Sequence, residues 1–289
     1  MKKRYILFFA GFLLVLNVFV WREVFILAER KNLEVDFLDV GQGDATFIET
    51  PEGHQILIDG GPSSAVLQKL AERMPFWDRS IDVVLLTHPE KDHMQGILGV
   101  LERYKVDYFL WTGVIKDDAE NKKLAELLNK RQKPFAAKNI IVSADDKIKA
   151  GNVSIDILFP FSSLSEQMPK NANDTSVVSM VIFGKNRFLF TGDISDKVEK
   201  QLTNSDELVN IKSDVLKVAH HGSKYSTSEE FLTAVVPKAA VISCGKDNSY
   251  GHPAPEVLQR LADFDVETLR TDQKGDITML SDGEKIKIQ

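Results

Sequence analysis

The sequence predicts one mixed domain of the α/β class (α+β in some schemes), carried behind an apolar N-terminal segment. Three observations predict it. From Leu33 onward, short apolar or alternating runs of strand length are interleaved with segments of helical spacing. No linker or low-complexity stretch divides residues 33–289, and the two halves, about 33–150 and 151–289, both run strands first and helices after. Residues 1–30 stand apart, because their apolar character runs all round and shows no amphipathic face.

That first segment, "MKKRYILFFAGFLLVLNVFVW", opens with Lys2, Lys3 and Arg4 and is apolar from Tyr5 to Trp21. Its length is near the lower limit for a bilayer-spanning helix, about 17 residues. It exceeds the usual core of a cleaved signal, about 7–15 residues. The expected boundaries are 1–30 for a membrane anchor or signal segment and 33–289 for the domain. An uncleaved single-pass anchor is the favoured reading, and secretion after signal cleavage is the alternative. The basic residues belong on the cytoplasmic side, so either reading places the domain outside the cytoplasmic membrane.

Along the domain, "LEVDFLDV" alternates like a strand and runs into the glycine-rich turn "GQGDA". "TFIET" and "QILIDGG" are strands separated by the turn "PEG", and such close spacing predicts antiparallel pairing. "AVLQKLAERM" has helical spacing. "IDVVLLTH" is almost wholly apolar, as a strand buried on both faces should be. "MQGILGVLERY" is a helix, "DYFLWTG" a strand and "DDAENKKLAELLNKR" a charged amphipathic helix. "NVSIDILFP", "SVVSMVIF" and "RFLFTGD" are strands, the last two joined by the turn "GKN". Helix "SDKVEKQL", buried strand "DVLKVAHHGS", helix "SEEFLTAVV", strand "AAVISCG" and helix "APEVLQRLADF" follow, and glycine turns divide the tail into strands. Phe161 to Thr175 is the candidate long loop, and long loops are often functional.

Composition narrows the chemistry. The 289 residues are 43% hydrophobic and 27% charged, with a net charge of −6. No basic stripe is evident of the kind that grips phosphates, which disfavours stable nucleic-acid binding but leaves a nuclease open. The single cysteine, Cys244, excludes an intramolecular disulfide and a thiolate metal cluster. Any metal must be held by His, Asp and Glu, a donor set that suits zinc, manganese or iron.

The polar residues are placed systematically. Asp59, His88, Asp92, His93, Asp193, His220 and His221 sit at or just after the ends of apolar strands, and His252 follows a strand after a short loop. Such ends can converge on one crevice, where a buried carboxylate or imidazole is costly unless paired or metal-bound. Each motif also has a bland reading. Asp92 in "THPEKDH" could cap the next helix, Asp193 could cap another, and one histidine of "AHHGS" could bond only to backbone. Together they predict a metal cradle. His88 and Glu90 face one ion, Asp92 and His93 face another, and Asp193 bridges them.

With these residues in view, the chain resembles the metallo-β-lactamase superfamily, and more closely the extracytoplasmic hydrolase domain of ComEC-type competence proteins and their stand-alone relatives. The stretches that carry the resemblance are "FLDVGQGDATFI", "ILIDGG", "LTHPEKDHMQG", "NDTSVVSMVIFGKNRFLFTGD", "LKVAHHGS" and "NSYGHP". It implies a four-layer αββα sandwich and a site for two divalent metal ions, zinc or manganese. On this resemblance His88, Glu90, Asp92, His93, Asp193 and His221 hold metal. His220 serves substrate or proton transfer, although the motif leaves the choice between His220 and His221 open. His252 is a proton donor or, alternatively, a ligand. Asp59 orients ligands from behind, and Asn173, Ser176, Ser223 and Tyr250 are polar contacts for substrate.

Two departures matter. Glu90 stands where the superfamily pattern has histidine, which tilts preference toward manganese. No histidine lies between His93 and Asp193, so the first ion has fewer ligands. The implied function is an extracytoplasmic, membrane-tethered phosphodiesterase or nuclease of DNA uptake. DNA would be a transient substrate and a separate DNA-translocating channel a partner. The alternatives are hydrolysis of another ester, such as a phosphocholine ester, or a metal-poor binding or scaffold protein.

Overall fold

The computed structural model describes residues 2–29, 32–129, 137–165, 171–204 and 210–289. Part of the expected Phe161–Thr175 loop and the end of the helix over "DDAENKKLAELLNKR" lie outside the described residues. Helix α1 (Lys2–Glu29) precedes the domain. The first half contributes β1 (Leu33–Phe37), β2 (Thr46–Glu49), β3 (Gln55–Ile58), α2 (Ala65–Arg73), β4 (Ser80–Leu85), α3 (Lys91–Arg103), β5 (Lys105–Trp111), α4 (Ala119–Asn129), β6 (Lys138–Ile141) and β7 (Lys147–Ala150). The second contributes β8 (Val153–Phe159), β9 (Val178–Phe183), β10 (Asn186–Phe190), α5 (Asp196–Thr203), β11 (Val215–Lys217), α6 (Glu229–Val235), β12 (Ala239–Ile242), α7 (Pro255–Asp263), β13 (Glu267–Arg270), α8 (Thr271–Lys274), β14 (Ile277–Ser281) and β15 (Ile286–Ile288).

Two sheets form. One has the order β15-β14-β1-β2-β3-β4-β5-β6 and the other β13-β12-β11-β10-β9-β8-β7. Each changes from antiparallel to parallel pairing along its width, at β3 in the first and at β10 in the second. Apolar residues of both inner faces, among them Phe37, Ile56, Leu85, Phe188 and Val241, make the central core. Phe37 stacks on Phe190 across it, with ring centroids 5.9 Å apart. A second apolar cluster lies beneath α2, α3 and α4, and a third beneath α5, α6 and α7. The result is the four-layer αββα sandwich.

The halves are not independent. Strand β14 pairs antiparallel with β1, so the C-terminal tail completes the first sheet. Its alternating burial shows why, since one face meets the core and the other does not. Strands β6 and β7 were not evident in the sequence. They are short, lysine-containing and mostly exposed, and they carry little apolar periodicity.

Close backbone contact brings β3 against α3. A Cβ on Gly96 would lie 1.9 Å from the Gly60 carbonyl oxygen, and one on Gly60 would lie 2.6 Å from the Ile97 nitrogen. With both side chains absent, Gly60 N–H donates to His93 O at 2.7 Å and Gly96 N–H to Gly61 O at 3.0 Å. These bonds fix the first turn of α3, which carries Asp92 and His93, beside the end of β3, which carries Asp59.

Candidate metal centre

The site lies at one edge of the two sheets and is assembled from strand ends. Asp59 follows β3, and the His88 to His93 stretch follows β4. Asp193 follows β10, and the His220–His221 turn follows β11. Both histidines of that turn take left-handed backbone angles, φ 52° and φ 54°. A non-glycine residue there costs of order 1 kcal/mol. The turn splits the two side chains, leaving His221 buried and His220 partly exposed.

Thr87 orients the first pair of imidazoles. Its backbone N–H and its hydroxyl donate to Asp59 at 2.8 and 2.7 Å, and its oxygen lies 3.0 Å from His88 Nδ1. His93 Nδ1 lies 2.7 Å from Asp59. With Nδ1 engaged on both rings, both Nε2 atoms are left for the centre. His221 repeats this device, with Nδ1 2.9 Å from the Ser243 carbonyl and 3.2 Å from Asp44. Asp193 sits between His93 and His221, with Nε2 atoms 3.3 Å and 3.4 Å from its two oxygens. Asp92 lies 3.2 Å from His221 Nε2. Ser176 accepts from the Asp193 backbone N–H at 3.0 Å while donating to Asn173 O at 2.7 Å, so it holds the aspartate in place.

Asp44 and Lys217 were not singled out in the sequence. One ligand atom each from Asp44, His93, Asp193 and His221 lie within 4.8 Å of one another, and all four residues are buried. Lys217, equally buried, places Nζ 2.7 Å from one Asp44 oxygen and donates to Val218 O at 3.0 Å. Asp44 sits in the turn before β2, held by its N–H to Asp92 O at 3.2 Å. Gly43, with φ 154°, permits this approach, because a Cβ there would meet Asp92 O at 2.2 Å.

The other expected residues are placed as follows. Glu90 is engaged elsewhere, both of its carboxylate oxygens lying 2.7–2.8 Å from Lys116 Nζ. It occupies the N-cap position of α3 without a side-chain capping bond, and Asp92 lies in the first turn. The cap of α5 is Ser195, which leaves Asp193 free of that duty. His220 Nε2 lies 3.2 Å from Asn173 Nδ2. His252 stands beside the pair, its ring centroid 5.7 Å from His220 and 6.5 Å from His221. Tyr250, largely exposed, stacks on His252 at 5.9 Å. Ser223 is buried and accepts from Tyr225 N–H at 3.4 Å, a bond within its own turn.

The electrostatics are those of a cation site. Burial would raise the Asp193 carboxyl, but His221 and His93 hold it well below the usual carboxylate range. Burial would lower His93, but Asp193 and Asp59 raise it well above its ordinary value, and Asp193 and Asp44 do the same for His221. Burial opposes ionisation of Asp44, yet Lys217 and then His221 hold it low. His88 is pushed down to about 3 by burial and by neighbouring His93, so its ring is neutral and ligand-ready at physiological pH. The decisive observation is that His88 Nε2 is buried without any partner, while Asp44 Oδ1, His93 Nε2 and Asp193 Oδ1 are buried with ion-pair contacts of 3.2–3.3 Å but no well-formed hydrogen bond. A buried polar atom left without a partner costs about 1–3 kcal/mol, and a divalent cation within the cluster relieves that cost. The residues present fit a metal.

Comparison with known proteins agrees. Residues 38–246 match the metallo-beta-lactamase superfamily. Over 263 residues the chain is 34% identical to ComE operon protein 3 of Bacillus subtilis, covering 84% of this chain and 32% of that protein. It is 31% identical over 265 residues to Recombination protein 2 of Haemophilus influenzae, covering 90% of this chain and 30% of that protein. The chain thus spans about a third of the length of these relatives. Among solved structures, the metallo-beta-lactamase fold protein YhfI from Bacillus subtilis superposes with a TM-score of 0.57 at 14% identity, covering 86% of this chain and all of that one. Competence protein ComA of Neisseria gonorrhoeae is 28% identical over 246 residues, covering 85% of this chain and 32% of that protein. Fold, buried His/Asp cluster and sequence match converge: the chain belongs to the metallo-β-lactamase superfamily of metal-dependent hydrolases and is related to competence proteins over most of its length.

Proposed function

We propose that this protein is a membrane-tethered, extracytoplasmic, metal-dependent phosphodiesterase that cleaves DNA during its uptake. The observation that carries the reading is the buried group of His and Asp ligand atoms around Asp193, several of which lack a well-formed hydrogen bond. His93, His221, Asp92 and Asp193 would hold one divalent ion, with Asp44, paired to Lys217, orienting His221 from behind. His88 and Asp193 would hold a second more loosely, because Glu90 is spent on Lys116. When bound, such ions supply Lewis acidity toward water and toward a phosphoryl oxygen.

The chain's own groups do the rest. Asp193 fixes the spacing of His93 and His221. His220, outside the buried cluster and beside Asn173 and His252, would hand a proton to a leaving oxygen. Tyr250 and His252, stacked on each other beside His220, would contact the substrate. The names of the relatives, which refer to competence and recombination, support DNA as substrate, and a separate translocating channel would deliver it. The apolar stretch Arg4–Arg22 of α1 is long and apolar enough to cross a membrane, which supports the tether.

The test is hydrolysis of single- and double-stranded DNA by purified protein with manganese, alongside phosphocholine esters. Manganese-dependent DNA cleavage that is lost in Asp193→Asn, together with the bound metal, is the expected result. Full cleavage by that variant would refute the reading. The Glu90–Lys116 ion pair favours a second reading, a metal-poor binding protein, and metal content near zero in the purified wild type would establish it.

A further inference from the structure

The loop joining α2 to β4 carries two adjacent aromatic side chains in water. Phe76 is 81% exposed and Trp77 51%. They pack edge to face at 4.8 Å. Every other exposed large apolar residue described in the domain stands alone in sequence. The loop is braced from below: Asp78 N–H donates to Pro75 O at 2.9 Å, and Asp78 accepts from the Ser80 N–H at 3.0 Å and from Gln55 Nε2 at 2.9 Å. The aromatic tip is therefore preformed, at the cost of leaving two large rings in solvent.

We infer that Phe76 and Trp77 form a lipid-binding tip that seats the domain on the outer face of the bilayer, with the metal centre turned away from the membrane. The inference rests on reading α1 as a membrane anchor. Trp77 lies against Phe19 of α1, ring centroids 5.6 Å apart. Phe19 is one turn inside Arg22, which closes the apolar span, and a turn is about 5 Å of depth. Trp77 therefore sits at the boundary between headgroups and acyl chains, where tryptophan is enriched.

The topology agrees independently. Strands β1, β3 and β4 run in the same direction. The chain thus leaves α1 for β1 at the same sheet edge where the Phe76–Trp77 loop enters β4. The metal centre occupies the opposite edge, a strand length or roughly 20 Å away. Anchor and tip share one edge, and a substrate approaching the site meets open water instead of lipid.

The full chain with Trp21→Phe, which removes the helix's own tryptophan, is assembled into phosphatidylcholine–phosphatidylglycerol nanodiscs with and without acyl-brominated lipid. Emission is compared with that of the Trp21→Phe/Trp77→Phe chain. Trp111, buried in the core, is common to both. The difference between the two chains is Trp77, and it should lose most of its intensity in brominated discs and be spared by aqueous acrylamide. A Trp77 signal quenched by acrylamide and not by bromine would place the tip in water and overturn the inference while leaving the anchor intact. A signal protected from both would mean that protein covers it, such as a second copy of the chain, and would also overturn it. Failure of the chain to enter discs at all would overturn anchor and tip together.

Discussion

Lys217 is the residue on which the charge balance of the site turns. Its ammonium neutralises Asp44 from the side away from the imidazoles, so one Asp44 oxygen faces the cluster while the other is satisfied. Removing the ammonium alone strands a buried carboxylate, and breaking such a pair costs about 3–5 kcal/mol. Lys217→Met should lose that much stability in urea denaturation of the metal-free protein, and Lys217→Met/Asp44→Asn should recover part of it. Equal losses in the two would show that the pair is not coupled. Lys116 acts in the opposite sense, by withholding Glu90. Freed in Lys116→Ala, Glu90 is available to the ion beside His88. Equilibrium dialysis against manganese should then show bound metal rising from about one toward two per chain. An unchanged content would mean that the ion pair does not limit the second position.

At the scale of elements, the site follows from a rule about strand ends, and the rule explains both what the sequence disclosed and what it concealed. His88, Asp193 and His221 were legible because each ends an apolar run. Asp44 was not, because it precedes β2. An antiparallel strand presents its beginning at the edge where its neighbours present their ends, as the pairing of Thr46 with Ile58 shows. The "GQGDA" turn gives no sign of this without the pairing. Lys217 was hidden because a lysine within an apolar strand is ordinarily expected to escape to solvent, and its partners Asp44 and the Val218 carbonyl, which keep it inside, show only in the fold. Glu90 was legible as a motif position, but its diversion depends on Lys116, far along the chain. The element contact most open to test is that of β3 with α3. Gly96→Ala should cost about 1–3 kcal/mol or more, because its Cβ meets the Gly60 and Ser63 carbonyl oxygens. Gly99→Ala, in the same helix, meets only the flexible end of Leu67 at 3.1 Å. It should be close to neutral or gain up to about 1 kcal/mol of helix propensity. Similar melting temperatures for the two variants would show that the close approach is not a constraint.

For the whole molecule, the buried cluster ties folding stability to protons and metal at once. His93 and His221 have pKa values raised well above the ordinary 6.5. Their stabilisation is therefore fully present below about pH 6.5 and is lost as pH rises through the raised values. Asp193 is held below the ordinary 3.8, so its contribution is present above that value and fades as pH falls through the lowered one. His88, pushed down to about 3, removes stability as pH falls from 6.5 toward that value and is silent on the alkaline side. The alkaline limb is thus set by His93 and His221 alone among these four groups. In the metal-free protein it should descend, because the two imidazolium ions beside Asp193 and Asp59 lose their protons and leave those carboxylates uncompensated in the core. A divalent ion replaces those protons, so with metal the descent should vanish and metal affinity should climb with pH. Melting temperatures measured from about pH 5 to pH 9, with chelator and with excess manganese, decide the matter. A falling chelator curve that parts from a level manganese curve is the expected result. Two curves that stay parallel over that range would mean that metal does not displace the protons of His93 and His221, and that the cluster is held together by its own ion pairs.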